Sequence, residues 1–127
     1  MLVLSACGGA LSYDLRGSDV SPGADAKLTA EVDVQRNLTA IDLKVAHLTP
    51  AERVLEGGTA YVVWARRDST VQWMRLGALQ LSDEGRVGVA QLTVSEVAFD
   101  LEVSAELNAA AVTPSGKTVF AQRVEGS

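Results

Sequence analysis

Between residues 28 and 35 every second side chain is apolar: Leu28, Ala30, Val32 and Val34 alternate with Thr29, Glu31, Asp33 and Gln35. Successive side chains of a strand leave on opposite faces, so a period of two builds a strand with one dry and one wet face; in a helix it would scatter the same apolar residues around the axis. The alternation recurs with Leu11, Tyr13 and Leu15 against Ser12, Asp14 and Arg16, and with Ile41, Leu43 and Val45 against Asp42 and Lys44. It returns with Phe99, Leu101, Val103 and Ala105 against Asp100, Glu102, Ser104 and Glu106. Turn-forming residues separate these runs: GSDVSPGADA, Arg36-Asn37 with Asn suited to positive φ, SDEGR at 82–86 and TPSGK at 113–117.

TAYVVWAR at 59–66 is apolar on both parities, which predicts a central strand covered on both faces with Trp64 in the interior. Further strands are expected over about 70–76, 78–82 and 86–93, and KTVFAQRV closes the sheet. HLTPAERVLEGG breaks the period, with Thr49 placed as a helix N-cap, Pro50 at the first helical position and Glu52 three residues after the cap, before Gly57-Gly58 ends the turn. The expected fold is all-β, an antiparallel immunoglobulin-like sandwich of about seven or eight strands with one short helical turn.

Length and composition narrow the function. The 127 residues suit one domain, and no apolar run approaches the ~18 residues of a membrane-spanning helix. A net charge of −5 repels phosphate backbones, so nucleic acid is not an expected partner. A single cysteine and a single histidine, Cys7 and His47, leave no internal disulfide and no zinc cluster within one chain, and SDEGR lacks the acid spacing of a calcium loop. No cofactor is expected, and His47 reads as a turn histidine. There is no GxSxG elbow, no phosphate-cradling glycine loop and no Cys/His dyad, so the chain is not expected to be an enzyme. Asp100 and Glu102 share a strand face about 7 Å apart, a spacing that invites comparison with glycosidase carboxylates but that the wet side of any half-buried strand displays.

One aromatic stands out. If Met74 and Leu76 face the core, Trp73 and Arg75 point to solvent, where an indole beside a guanidinium can stack on a sugar or dock in a partner; a bulge near Gly77 would instead turn Trp73 inward.

Leu4-Ser5-Ala6-Cys7, followed by Gly8-Gly9, resembles the lipobox of bacterial lipoproteins. The resemblance implies a diacylglyceryl group on the Cys7 sulfur, cleavage before it and an extracytoplasmic, lipid-anchored body. Gly8 after the cysteine, in place of an aspartate that retains lipoproteins at the inner membrane, points to the outer membrane in a diderm host. Six residues before Cys7 fall short of a complete signal peptide, so the expected layout is a truncated signal remnant at 1–6, a lipidated tether at 7–10 and a sandwich domain at 11–127.

Tyr61-x-Val63-Trp64, Leu76-Gly77-x-Leu79, Gly85, Phe99-x-Leu101-x-Val103-Ser104-Ala105-Glu106 and Pro114-Ser115-Gly116 are together similar to the extracytoplasmic β-domain of anti-sigma-K-type factors. The resemblance covers about half of the chain and implies a fold and a bacterial envelope setting. It carries over neither sigma-factor control nor any functional residue. The functional expectation is a lipid-anchored, non-enzymatic module that binds an envelope protein or serves as a structural component, with a carbohydrate- or peptidoglycan-binding module at Trp73 and Arg75 as the alternative.

Overall fold

The structure, a computed structural model, describes residues 8–126. Among them are strands β1 (Gly8–Arg16), β2 (Asp25–Asp33) and β3 (Leu38–Ala46), the helical turn α1 (Ala51–Val54), then β4 (Ala60–Arg66), β5 (Met74–Ala78), β6 (Gln80–Leu81), β7 (Gly88–Val94), β8 (Ala98–Glu106) and β9 (Thr118–Glu125). They form two antiparallel sheets, ordered β1-β2-β3-β7-β6 and β5-β4-β8-β9. The run β2-β3-β7-β6 opposite β4-β8-β9 has immunoglobulin-like strand order, with β1 and β5 added at the outer edges. The strands number nine among the described residues because the chain changes sheets at Leu79. Its amide donates to the Tyr61 carbonyl, and the two residues of β6 then pair with β7 in the opposite sheet.

The alternation sorts the core. Leu28 pairs with Leu43 and Ala30 with Ile41 in one sheet, and Val63 with Val103 and then Phe120 in the other. All of these are buried in one cluster between the sheets. Removing each Leu, Ile, Val or Phe from water contributes about 1.5–3 kcal/mol, which makes this layer the main support of the fold. β4 is buried along nearly its whole length, as its double-parity apolar sequence requires.

Several local expectations need correction. β1 starts at Gly8 and pairs Gly8 with Asp33, so residues 8–10 are strand and not tether. β2 ends at Asp33, and Val34 turns outward at 56% exposure instead of facing the core. Thr49 does not cap the helix. The cap position is Pro50 without a side-chain hydrogen bond, because Thr49 is engaged by Ser21, whose hydroxyl donates to Thr49 Oγ1 (2.8 Å) and accepts the Thr49 amide (3.0 Å). The strand expected over 70–76 begins at Met74. The register shifts between Val63↔Gly77 and Trp64↔Arg75, so Leu76 is the extra residue of a bulge, and Met74 sits at the sheet edge, 68% exposed.

The turns follow their residues. Asn37 takes φ 55°, Gly85 φ 74° and Gly116 φ 93°. Gly17 is required by crowding, since a Cβ there would lie 2.0 Å from the Ser21 carbonyl oxygen.

The reversals gather at two poles. One holds the start of β1, the β2–β3 turn, the β4–β5 loop and the β7–β8 turn; Asn37 Nδ2 donates to the Ser95 carbonyl and Thr39 Oγ1 to the Glu96 carbonyl. The other holds the β1–β2 loop, the α1 segment, the β6–β7 turn and the β8–β9 loop. These too are joined, by the Leu48 amide to the Arg86 carbonyl and by Thr59 Oγ1 to the Leu107 carbonyl.

Candidate functional site

Two polar constellations lie on the face of the β4/β8 sheet that points away from the core. In the first, Trp64 is fully buried although it points away from Tyr61, Val63 and Ala65, which belong to the inter-sheet cluster. Its Nε1–H donates to Ser104 Oγ (2.8 Å), the Ser104 hydroxyl donates to Glu106 Oε2 (2.6 Å), and the same carboxylate oxygen accepts the Ser115 amide (2.8 Å). Ser104 and Glu106 are buried, and Ser115 also donates its hydroxyl to the Ala105 carbonyl (2.6 Å). The chain of donors ends on a carboxylate and ties the β8–β9 loop to the sheet. Every buried side-chain N or O among the described residues has a partner.

The second constellation surrounds the Trp73 and Arg75 pair. Trp73 is half-buried just before β5, Arg75 is exposed opposite Trp64, and the Arg66 guanidinium lies 4.2 Å from the Trp73 ring centroid. Arg66 Nε donates to Asp100 Oδ2 (3.1 Å), and Arg123 Nη1 donates to Asp100 Oδ1 (3.2 Å) and to the Arg67 carbonyl (2.7 Å). One face of the indole is therefore taken by the chain's own cation. In the β4–β5 loop the Thr70 hydroxyl, followed by its amide, holds the Asp68 carboxyl below its ordinary range.

The glycosidase-like pair is put to other use. Asp100 holds two arginines, and Glu102 Oε1 accepts the Thr118 hydroxyl (2.6 Å). His47, at φ 56° in the turn after β3, has Nδ1 2.8 Å from Asp25 Oδ1 on the surface. No cluster of three or more metal-ligating side chains occurs among the described residues, and no helix among them is long and apolar enough to cross a membrane.

No family model, curated protein or solved structure matches the chain.

Cys7 lies outside the described residues, but its neighbour Gly8 opens β1, which fixes the pole at which a Cys7 anchor would be attached. At that pole a cleft of about 280 Å³ opens between β5 and the end of β7, lined by Val71, Met74, Leu76, Thr93 and Glu96 among others. At the opposite pole Leu107 and Val112 stand 59% and 82% exposed at the start and in the middle of the β8–β9 loop, with Leu107 beside Gly57. Sequence reasoning missed the Trp64–Ser104–Glu106–Ser115 chain by placing Ser104 and Glu106 on a wet face. The double-parity apolarity of β4 was the available signal, because a covered Val62 and Trp64 require something to lie over this face of the sheet, and Ser104 is the cross-strand partner of Val62.

Tyr61 links the core to the loop pole. Its hydroxyl donates to the Thr49 carbonyl, and burial, assisted by the charge of Glu52, pushes its phenol from 10.0 up to about 12. A raised folded-state value means that the neutral phenol is the form the fold favours. Its stabilisation is complete below the unfolded value near 10 and is lost as pH rises toward 12. Thermal unfolding from pH 9 upward should show a steeper loss of Tm in the wild type than in Tyr61→Phe, which should itself cost about 1–2 kcal/mol at neutral pH. Parallel curves would remove Tyr61 as the cause.

Proposed function

We propose that this chain is the folded body of a bacterial envelope lipoprotein, anchored through lipid on Cys7, which acts without enzymatic chemistry by binding an envelope protein through its loop pole. The observation that carries the reading is the placement of β1. With Gly8 paired to Asp33, an anchor on Cys7 attaches at one end of the sandwich, while the α1 segment, the β6–β7 turn and the β8–β9 loop converge at the other. Loops held by a rigid sandwich are common carriers of partner recognition, and here the exposed Leu107 and Val112 rest on a loop pinned by Glu106. The alternative, a glycan platform at Trp73 and Arg75, starts with one indole face covered by Arg66.

Metabolic labelling with a radioactive fatty acid should mark the wild type and not Cys7→Ser; labelling of both or neither removes the anchor. A photo-crosslinking residue at Val112 should capture a discrete envelope protein in native membranes, and the same residue at Asp42, on the flat polar sheet face, should not. Equal capture from both positions, or none from Val112, ends the docking assignment.

A further inference from the structure

We propose that the pole bearing Gly8 is a bilayer-contact face: Val34, Trp73 and Met74 enter the interfacial layer of the membrane while Arg36, Arg67 and Arg75 meet lipid phosphates. This rests on attachment through Cys7. Consecutive Cα atoms are about 3.8 Å apart, so a lipid on Cys7 holds the start of β1 at the headgroup layer, with no flexible linker over which the body could turn away.

The side chains at that pole suit the layer. Val34 and Met74 are exposed at 56% and 68%, and Trp73, which directly precedes Met74, is half-buried. An indole has an apolar body with one polar edge, which is why tryptophan collects where hydrocarbon meets headgroups. Arginine complements it, with an apolar stem and a guanidinium that binds phosphate in two-pronged fashion.

Arg36 and Arg67 are 78% and 60% exposed, and their contacts to Asp33 and Asp68 are loose, 3.7 Å in each case. Exposed pairs of this kind contribute about 0–1 kcal/mol, so either arginine can exchange its carboxylate for a phosphate at little cost.

The charge distribution favours the same orientation. Among the described residues of this pole Arg36, Arg66, Arg67, Arg75 and Arg123 stand against Glu31, Asp33, Asp68, Glu96, Asp100 and Glu125, an excess of one acidic charge, against a net charge of −5 for the chain. The opposite pole carries Asp19, Asp25, Glu52, Glu56, Asp83 and Glu84 in exposed positions against Arg16, Arg53, Arg86 and Lys117, an excess of two acidic charges. An anionic surface repels that end more strongly.

The test couples the full chain through Cys7 to a maleimide-bearing lipid in vesicles of phosphatidylethanolamine and phosphatidylglycerol, so that the anchor is supplied chemically whether or not cells attach one. Tryptophan emission is then read against a nitroxide lipid labelled near the headgroup. Trp64 is buried, so the Trp73→Phe variant should lose at least about half of the quenching, and Val34→Asp combined with Met74→Asp should reduce it similarly. Quenching unchanged in both variants overturns the face. In native membranes a photo-crosslinking residue at Met74 should yield lipid adducts. A protein adduct in their place assigns the face to a protein partner and also overturns the proposal. Failure of fatty-acid labelling in cells would remove the natural anchor, whereas failure of quenching on the coupled vesicles would remove the orientation.

Discussion

Trp64→Ala is expected to destabilise the sandwich by about 3–5 kcal/mol, the usual cost of emptying a buried tryptophan site. The residue is fully buried on the face of β4 opposite the inter-sheet cluster, where it sits between Arg75 of β5 and Glu102 of β8 in the cross-strand register. The indole thus fills a secondary layer outside the main core, and its loss cannot be repaired by shifting the two sheets together. The substitution also removes the donor to Ser104 Oγ. For a chain of this length the loss corresponds to a fall in Tm of about 10–20 °C. Trp64→Phe keeps most of the volume and loses the N–H, so about 1–3 kcal/mol is expected. Thermal and denaturant unfolding followed by far-ultraviolet circular dichroism would check both, and a Trp64→Ala change below about 1 kcal/mol would show that the outer layer is not stabilising.

How much of this was legible in the sequence differs from strand to strand for physical reasons. Period-two alternation assigned Leu28, Ile41, Leu43, Phe99 and Val103 to the core because face is a local property of a strand. Whether the other face is wet is not local. Ser104 and Glu106 carry solvent parity, yet both are buried, since the Ser115 amide folds back onto the carboxylate from nine residues away. Thr49 has the residue type and position of an N-cap, but Ser21, 28 residues upstream, satisfies both its amide and its hydroxyl first. A cap is read from neighbours in sequence, and here the competitor is a neighbour in space. The late start of β5 has a related origin. A bulge at Leu76 resets the pairing with β4, and the sequence offered only Gly77 beside it as a sign that a bulge could form there. At the amino end the opposite occurred: Gly8 and Gly9 have poor strand propensity but are held in the ladder by Asp33 and Val32 of β2.

Glu106→Ala is expected to cost about 3–4 kcal/mol, because one carboxylate oxygen accepts two hydrogen bonds and bonds to a charged acceptor contribute about 1.5–3 kcal/mol each. Removing it strands the Ser104 hydroxyl, still held by Trp64, and releases the Ser115 amide, so hydrogen exchange at Ser115 should accelerate along with the loss of stability. Glu106→Gln is the discriminating variant. Both bonds converge on Oε2, and an amide oxygen in that place accepts them without the charge, at a cost of about 1–2 kcal/mol. Ser104→Ala should cost about 2 kcal/mol, and the double variant Ser104→Ala with Glu106→Ala should fall short of the sum by about 1–2 kcal/mol, since the bond between them is lost only once. Strict additivity would mean that Ser104 and Glu106 act separately, and an equal loss in Gln and Ala would mean that packing, not the carboxylate, holds the β8–β9 loop. The cycle therefore also bears on the proposed docking tip, because the Glu106 carboxylate shares the tethering of the loop that carries Leu107 and Val112 with Thr59 Oγ1 on the Leu107 carbonyl and the Ser115 hydroxyl on the Ala105 carbonyl.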